Sequence, residues 1–243
     1  MSVWEELGAH TAARIGLARA GGSVATGPLL AFRLAHARAR DAVHAVLDGG
    51  LVPHGVAVRS QAGDRRAYLM RPDLGRVLDA DGERMLRALP GRPFDLVMAL
   101  GDGLSAGALH AHAPGLLEAL LPRLAGWRLS PTVLVHGARV AVGDGVCRAV
   151  GAGAVLVLLG ERPGLSAPES LGAYLTWAPG AGTTDADRNC VSNIRPTGLG
   201  YAEAAHRIAF LLGRMRVRGG SGVGLKDESS GKVLVDGPGQ PPR

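Results

Sequence analysis

The sequence predicts an α/β protein, a mostly parallel sheet with flanking helices preceded by a helical N-terminal segment. Three observations predict it. From His10 to about Leu89 apolar residues recur at helical spacing. From Phe94 short apolar runs bounded by glycine take over. Those runs alternate with helical stretches, and parallel strands need such crossovers. The arrangement is Rossmann-like.

The elements follow in order. Pro28 to Leu47 reads as a long amphipathic helix with Leu30, Leu34, Ala37, Val43, Val46 and Leu47 near one stripe, stopped by Gly49-Gly50. Phe94 to Leu100 is a buried strand ending in Gly101-Asp102-Gly103, and Ser105 to Leu124 is a helix stopped near Gly126. Thr132–Val135, Arg139–Val142 and Ala154–Leu159 are further strands, with a short helix from Asp144 to Val150 before the last. Ala202 to Arg216 closes as a helix. The chain divides into a helical segment over 1–90, an α/β domain over 91–226, and a tail over 227–243 whose Gly, Pro, Ser and charge predict mobility.

Composition narrows the function. At 243 residues with 47% hydrophobic and 20% charged residues, the chain reads as folded and globular. The net charge of +6 invites a nucleic-acid reading, but 25 arginines are scattered along the chain and aromatics are only 4%, which leaves no basic block and no stacking platform. Dispersed arginine suits partners rich in amides, carboxylates or phosphates. Two cysteines, Cys147 and Cys190, make no disulfide framework or metal spacing. With no signal-peptide pattern at Met1–Glu6 and no apolar run long enough to span a bilayer, a cytoplasmic location is expected.

Several motifs fail on spacing. Gly101 to Gly107 reads GxGxxxG rather than GxGxxG, and the next strand ends Val135-His136 with no acid to hold a ribose; a turn with Asp102 or Ser105 capping the helix explains it better. Leu225 stands at the Walker lysine position. Asp185 and Asp187 lack further ligands, and His110 and His112, two apart, face different ways on a helix. His112-Ala113-Pro114-Gly115 matches only the HxxG of a DxHxxG signature, because His110 occupies the Asp position.

The stretch from Gly160 to Pro196 is the most unusual. Glu161 and Arg162 follow directly on the most apolar strand, where burial is costly without partners, so a polar ligand or a subunit is expected there. Asn189-Cys190-Val191-Ser192-Asn193-Ile194 is equally dense in short polar side chains; a capped turn with a buried thiol is its plainest reading.

Taken together, Arg19-Ala20-Gly21, the helix with His36 and Arg38, Tyr68 to Arg76, Asp102-Gly103-Leu104-Ser105, Arg139-Val140, Gly160 to Leu165 and Asn189 to Ile194 resemble the small (light) subunit of ethanolamine ammonia-lyase over roughly residues 10–227. The resemblance implies a subunit of a carbon–nitrogen lyase that packs, through its 1–90 segment, on a large TIM-barrel subunit, six of each. It implies adenosylcobalamin held between the two subunits with its dimethylbenzimidazole still on cobalt, which agrees with the missing DxHxxG. Carried over by motif, the cofactor-binding positions are Val140, Glu161 and Cys190. Bound cofactor supplies an adenosyl radical for deamination of ethanolamine to acetaldehyde and ammonia; catalytic residues belong to the large subunit, so none is expected here, and no metal ligand.

A corrin is a flat apolar ring fringed with amides. Glu161 suits its N–H groups, Val140 offers backbone groups and a compact apolar surface, and Cys190 a small polarizable one. Many relatives carry a longer N-terminal extension linked to packaging in a bacterial microcompartment; only about nine residues precede the match here, so the cytoplasm is the expected location and a microcompartment the alternative. Two other readings carry their own expectations. A dinucleotide-dependent oxidoreductase binds NAD(H) as an isolated chain, and a non-catalytic interaction module binds a protein partner without corrin.

Overall fold

The computed structural model describes residues 3–229 except Ala12, Pro53 and Pro168; the expected mobile tail lies almost wholly outside the described residues. The chain opens with α1 (Val3–Gly8), the two-residue strands β1 (Arg19–Ala20) and β2 (Ser23–Val24), and α2 (Thr26–His44). Next come β3 (Val56–Arg59), α3 (Arg65–Met70), α4 (Ala80–Arg87), β4 (Phe94–Gly101), α5 (Ala106–Leu120), β5 (Val133–His136), α6 (Val142–Val150) and β6 (Ala152–Gly160). The last elements are β7 (Leu171–Trp177), β8 (Asn189–Ile194) and α7 (Tyr201–Arg218).

The sheet has six strands in the order β3-β5-β4-β6-β7-β8. The first four run parallel, while β7 and β8 continue the sheet antiparallel. The fold is therefore mixed α/β with flanking helices, as expected, with an antiparallel edge that the sequence reading lacked.

Each strand presents its two faces to different layers, because successive side chains point opposite ways. Leu96, Met98 and Leu100 pack with α5 and α7; Val97 and Ala99 pack with α4 and α6. On α7, Ala204, Ala205, Ile208, Leu211, Leu212 and Met215 recur every three or four residues and are all buried. At roughly 1.5–3 kcal/mol per large side chain removed from water, this stripe holds the helix to the sheet.

Three expectations are corrected. Arg139–Val142 is not a strand: Val142 starts α6, and Arg139 to Ala141 form the tight turn that feeds it. A run of four residues with alternating branched side chains fits either state, and the short connection from β5 left no room for another strand. The 10–89 region is not purely helical, since Val56–Arg59 pairs with β5 as an edge of the main sheet. The apolar stripe expected over 28–47 is packed only toward its end: Leu30 and Leu34 are more than half exposed, α2 stops at His44 with Ala42 its only buried residue, and beyond it Val46 is exposed while Leu47 joins the core.

Candidate functional site

Parallel strands end where loops and helix N-termini present free backbone groups. The turns after β4, β5 and β6 converge at that end of the sheet. They line a cleft of about 430 Å³ whose walls include Gly103, Leu104, Arg139, Val140, Glu161 and Arg162, closed by Tyr68 and Tyr174. The turns touch because glycines allow it. Leu104 N–H donates to the Gly160 carbonyl at 3.0 Å, and a Cβ on Gly160 would lie 1.9 Å from the Ser105 carbonyl oxygen.

Ser105 is the cap of α5, accepting from Ala108 N–H at 3.1 Å. Asp102 does something else. Its two carboxylate oxygens accept from Gly137 N–H and Ala138 N–H, each at 2.9 Å, so the turn after β4 fixes the backbone that leads to Val140. The half-buried Val140 therefore sits on a braced turn.

Glu161 has the partners that its position after β6 calls for. Its Oε2 accepts from the Ser170 hydroxyl at 2.6 Å, and both carboxylate oxygens lie 3.3 Å from Asn193 N–H. Asn193 adopts a left-handed backbone, φ +58°, a conformation that asparagine tolerates better than most residues. Arg162 is exposed.

Cys190 lies in β8, opposite Tyr174 of β7, and is exposed. The segment is thus a strand rather than a turn, and the buried thiol is Cys147. Cover by surrounding protein, then the nearby Glu161 carboxylate, push the Cys190 thiol up to about 11, against a lowering by the Tyr174 hydroxyl. Tyr174 is raised in turn, by burial first and then by Cys190 and Glu161. Val140 and Glu161 share the cleft, and Cys190 adjoins it behind Tyr174 and Glu161.

The surrounding chemistry is that of binding. Among the described residues no group of His, Cys, Asp and Glu could hold a metal ion, and no helix is long and apolar enough to cross a membrane. The donor set fits an amide-fringed ring: a carboxylate acceptor, backbone groups and small apolar surfaces around one open cleft.

The family model described as "Ethanolamine ammonia-lyase light chain (EutC)" matches residues 1–226. The chain belongs to the ethanolamine ammonia-lyase light-chain family. The match takes in the first nine residues, which the sequence reading had placed ahead of the resemblance. Proteins called ethanolamine ammonia-lyase small subunit are 53% identical in Bradyrhizobium diazoefficiens, over 94% of this chain and 92% of the relative, and 53% in Rhodopseudomonas palustris, over 90% and 88%. One in Xanthomonas campestris pv. campestris is 49% identical over 95% and 90%. As a light chain, the protein is a subunit of a carbon–nitrogen lyase, and a small subunit implies a large one.

Light-chain motifs found from sequence supplied Val140 and Glu161, but sequence reasoning missed Tyr174 and gave Tyr68 and Arg139 no role. One signal was available. The chain has three tyrosines, and two of them wall this cleft.

Proposed function

We propose that this light chain forms the small-subunit side of an adenosylcobalamin site, where Val140, Glu161 and Cys190 would contact the cofactor. The observation that carries the reading is the convergence of Val140 and Glu161 in one cleft, with Cys190 beside it. Glu161 is oriented by Ser170 and Asn193 to accept amide N–H groups, while Val140 is held by the turn that Asp102 braces. When bound, the cofactor supplies the radical chemistry for converting ethanolamine to acetaldehyde and ammonia. This chain's residues bind and orient; substrate-binding and catalytic groups are assigned to a TIM-barrel large subunit.

The parallel strands, with helices on both faces and ligand-facing turns at their carboxyl ends, support a Rossmann-like description of the central sheet. By role, residues 1–90 face the large subunit and 91–226 the cofactor. The exposed apolar stripe on α2 supports that docking role. Six large and six small subunits and a cytoplasmic setting complete the proposal.

The test is co-expression with a large subunit, followed by addition of adenosylcobalamin and ethanolamine. Acetaldehyde that requires both chains, together with a corrin absorption spectrum on the purified complex, is expected. A complex that forms but holds no corrin would leave only an interaction module. Within a corrin-binding complex, Glu161→Ala should weaken cobalamin retention, and unchanged retention would remove Glu161 from the site.

A further inference from the structure

Arg139 stands in the cleft as a cation without an anion. Among the described residues it forms no ion pair. Its Nη2 donates to the Tyr68 carbonyl at a long 3.3 Å, and its Nε is buried with no acceptor. A half-buried guanidinium left this way lowers stability unless something else completes its hydrogen bonds.

The fold nevertheless holds it firmly. Its guanidinium carbon lies 4.3 Å from the centre of the Tyr68 ring, a ring that also carries Arg65 at 4.7 Å. Tyr68 is fixed by its hydroxyl, which donates to the Ala138 carbonyl at 3.1 Å. Arg139 N–H donates to the Gly75 carbonyl at 2.8 Å, and a Cβ on Gly75 would come within 2.8 Å of the arginine stem. Asp102 secures the two residues before it. The Tyr68–Arg76 motif, which the cofactor reading left unused, thus builds a socket for one side chain.

We propose that Arg139 is a ligand-binding residue that donates from its guanidinium to carbonyl oxygens on the rim of the ligand, opposite in sense to Glu161, which accepts. The inference rests on the corrin reading and extends it. A primary amide carries both an N–H donor and a carbonyl acceptor, so an amide-fringed ring is matched by a site that offers both. A planar fork stacked on tyrosine presents its donors in a fixed plane, which a lysine would not.

The experiment uses the complex of both subunits, titrated with cyanocobalamin and followed by corrin absorption. Arg139→Met keeps the stem and removes the donors. It should weaken binding by about tenfold or more, the scale of a lost charge-assisted hydrogen bond, with assembly intact and the thermal midpoint not lowered. Arg139→Lys should recover part of the loss. Binding by Arg139→Met within about twofold of wild type overturns the assignment. Should that variant fail to assemble, Tyr68→Leu frees the guanidinium while keeping its charge; a loss of about threefold or more is expected, and no loss overturns it. A wild-type complex that takes up no corrin fails differently, by removing the corrin reading itself.

Discussion

At the residue scale, the site is a set of side chains placed by their neighbours rather than by their own strands. Glu161 and Cys190 are far apart in sequence, yet the carboxylate helps hold the thiol up to about 11. Alkylation of Cys190 in the isolated chain should therefore rise with pH around 11 instead of the usual ~8.5, and Glu161→Gln should bring that midpoint down. A midpoint indifferent to Glu161 would mean that the two groups are not neighbours. The sign for stability follows. A thiol that keeps its proton longer when folded stabilises the chain fully below about pH 9, and that contribution is lost as pH rises toward 11. Glu161 was legible as a residue in need of a partner because a carboxylate follows an apolar strand. Arg139 was not, because nothing in the sequence marks it out among 25 arginines; the contact of its stem with Gly75 and its stacking on Tyr68 are made only by the fold.

At the scale of elements, β8 is locked to the sheet by a buried ion pair. Arg188, just ahead of the strand, donates bidentately to Asp144 of α6 at 2.7 and 2.8 Å and to the Thr176 hydroxyl of β7 at 3.0 Å. The Asp144 hydrogen bonds hold the guanidinium above its ordinary pKa. Arg188→Ala strands a carboxylate in the interior and should cost roughly 3–5 kcal/mol, read as a lower denaturant midpoint with the slope unchanged. A loss under about 1 kcal/mol would show the pair to be dispensable. The sequence disclosed β4, β5, β6 and the helices between them, because apolar runs framed by glycine leave few alternatives. It hid β7 and β8. Polar side chains such as Thr176, Asn189 and Ser192 interrupt their apolar pattern, and an edge strand shows part of its length to water.

At the scale of the whole molecule, burial is uneven. The sheet and its two helical layers are closed, while residues 3–41 contain no buried side chain among those described. That stretch is tethered lightly to the rest: Arg14, whose guanidinium lies 5.9 Å from the Phe32 ring of the same stretch, donates to the Leu165 carbonyl at 3.3 Å, on the loop that carries Glu161. Limited proteolysis of the isolated light chain should cut within 3–44 first, and the large subunit should protect those sites. Early cutting inside the sheet, or no protection by the large subunit, would contradict that docking role. The feature bears on how the protein comes into being. These residues are made before the sheet they flank, carrying a helix whose Leu30 and Leu34 stay exposed after the described chain has folded. A cell that made light chains in excess would present chaperones and quality-control proteases with a persistent target, so synthesis matched to the partner's is the condition under which this sequence survives.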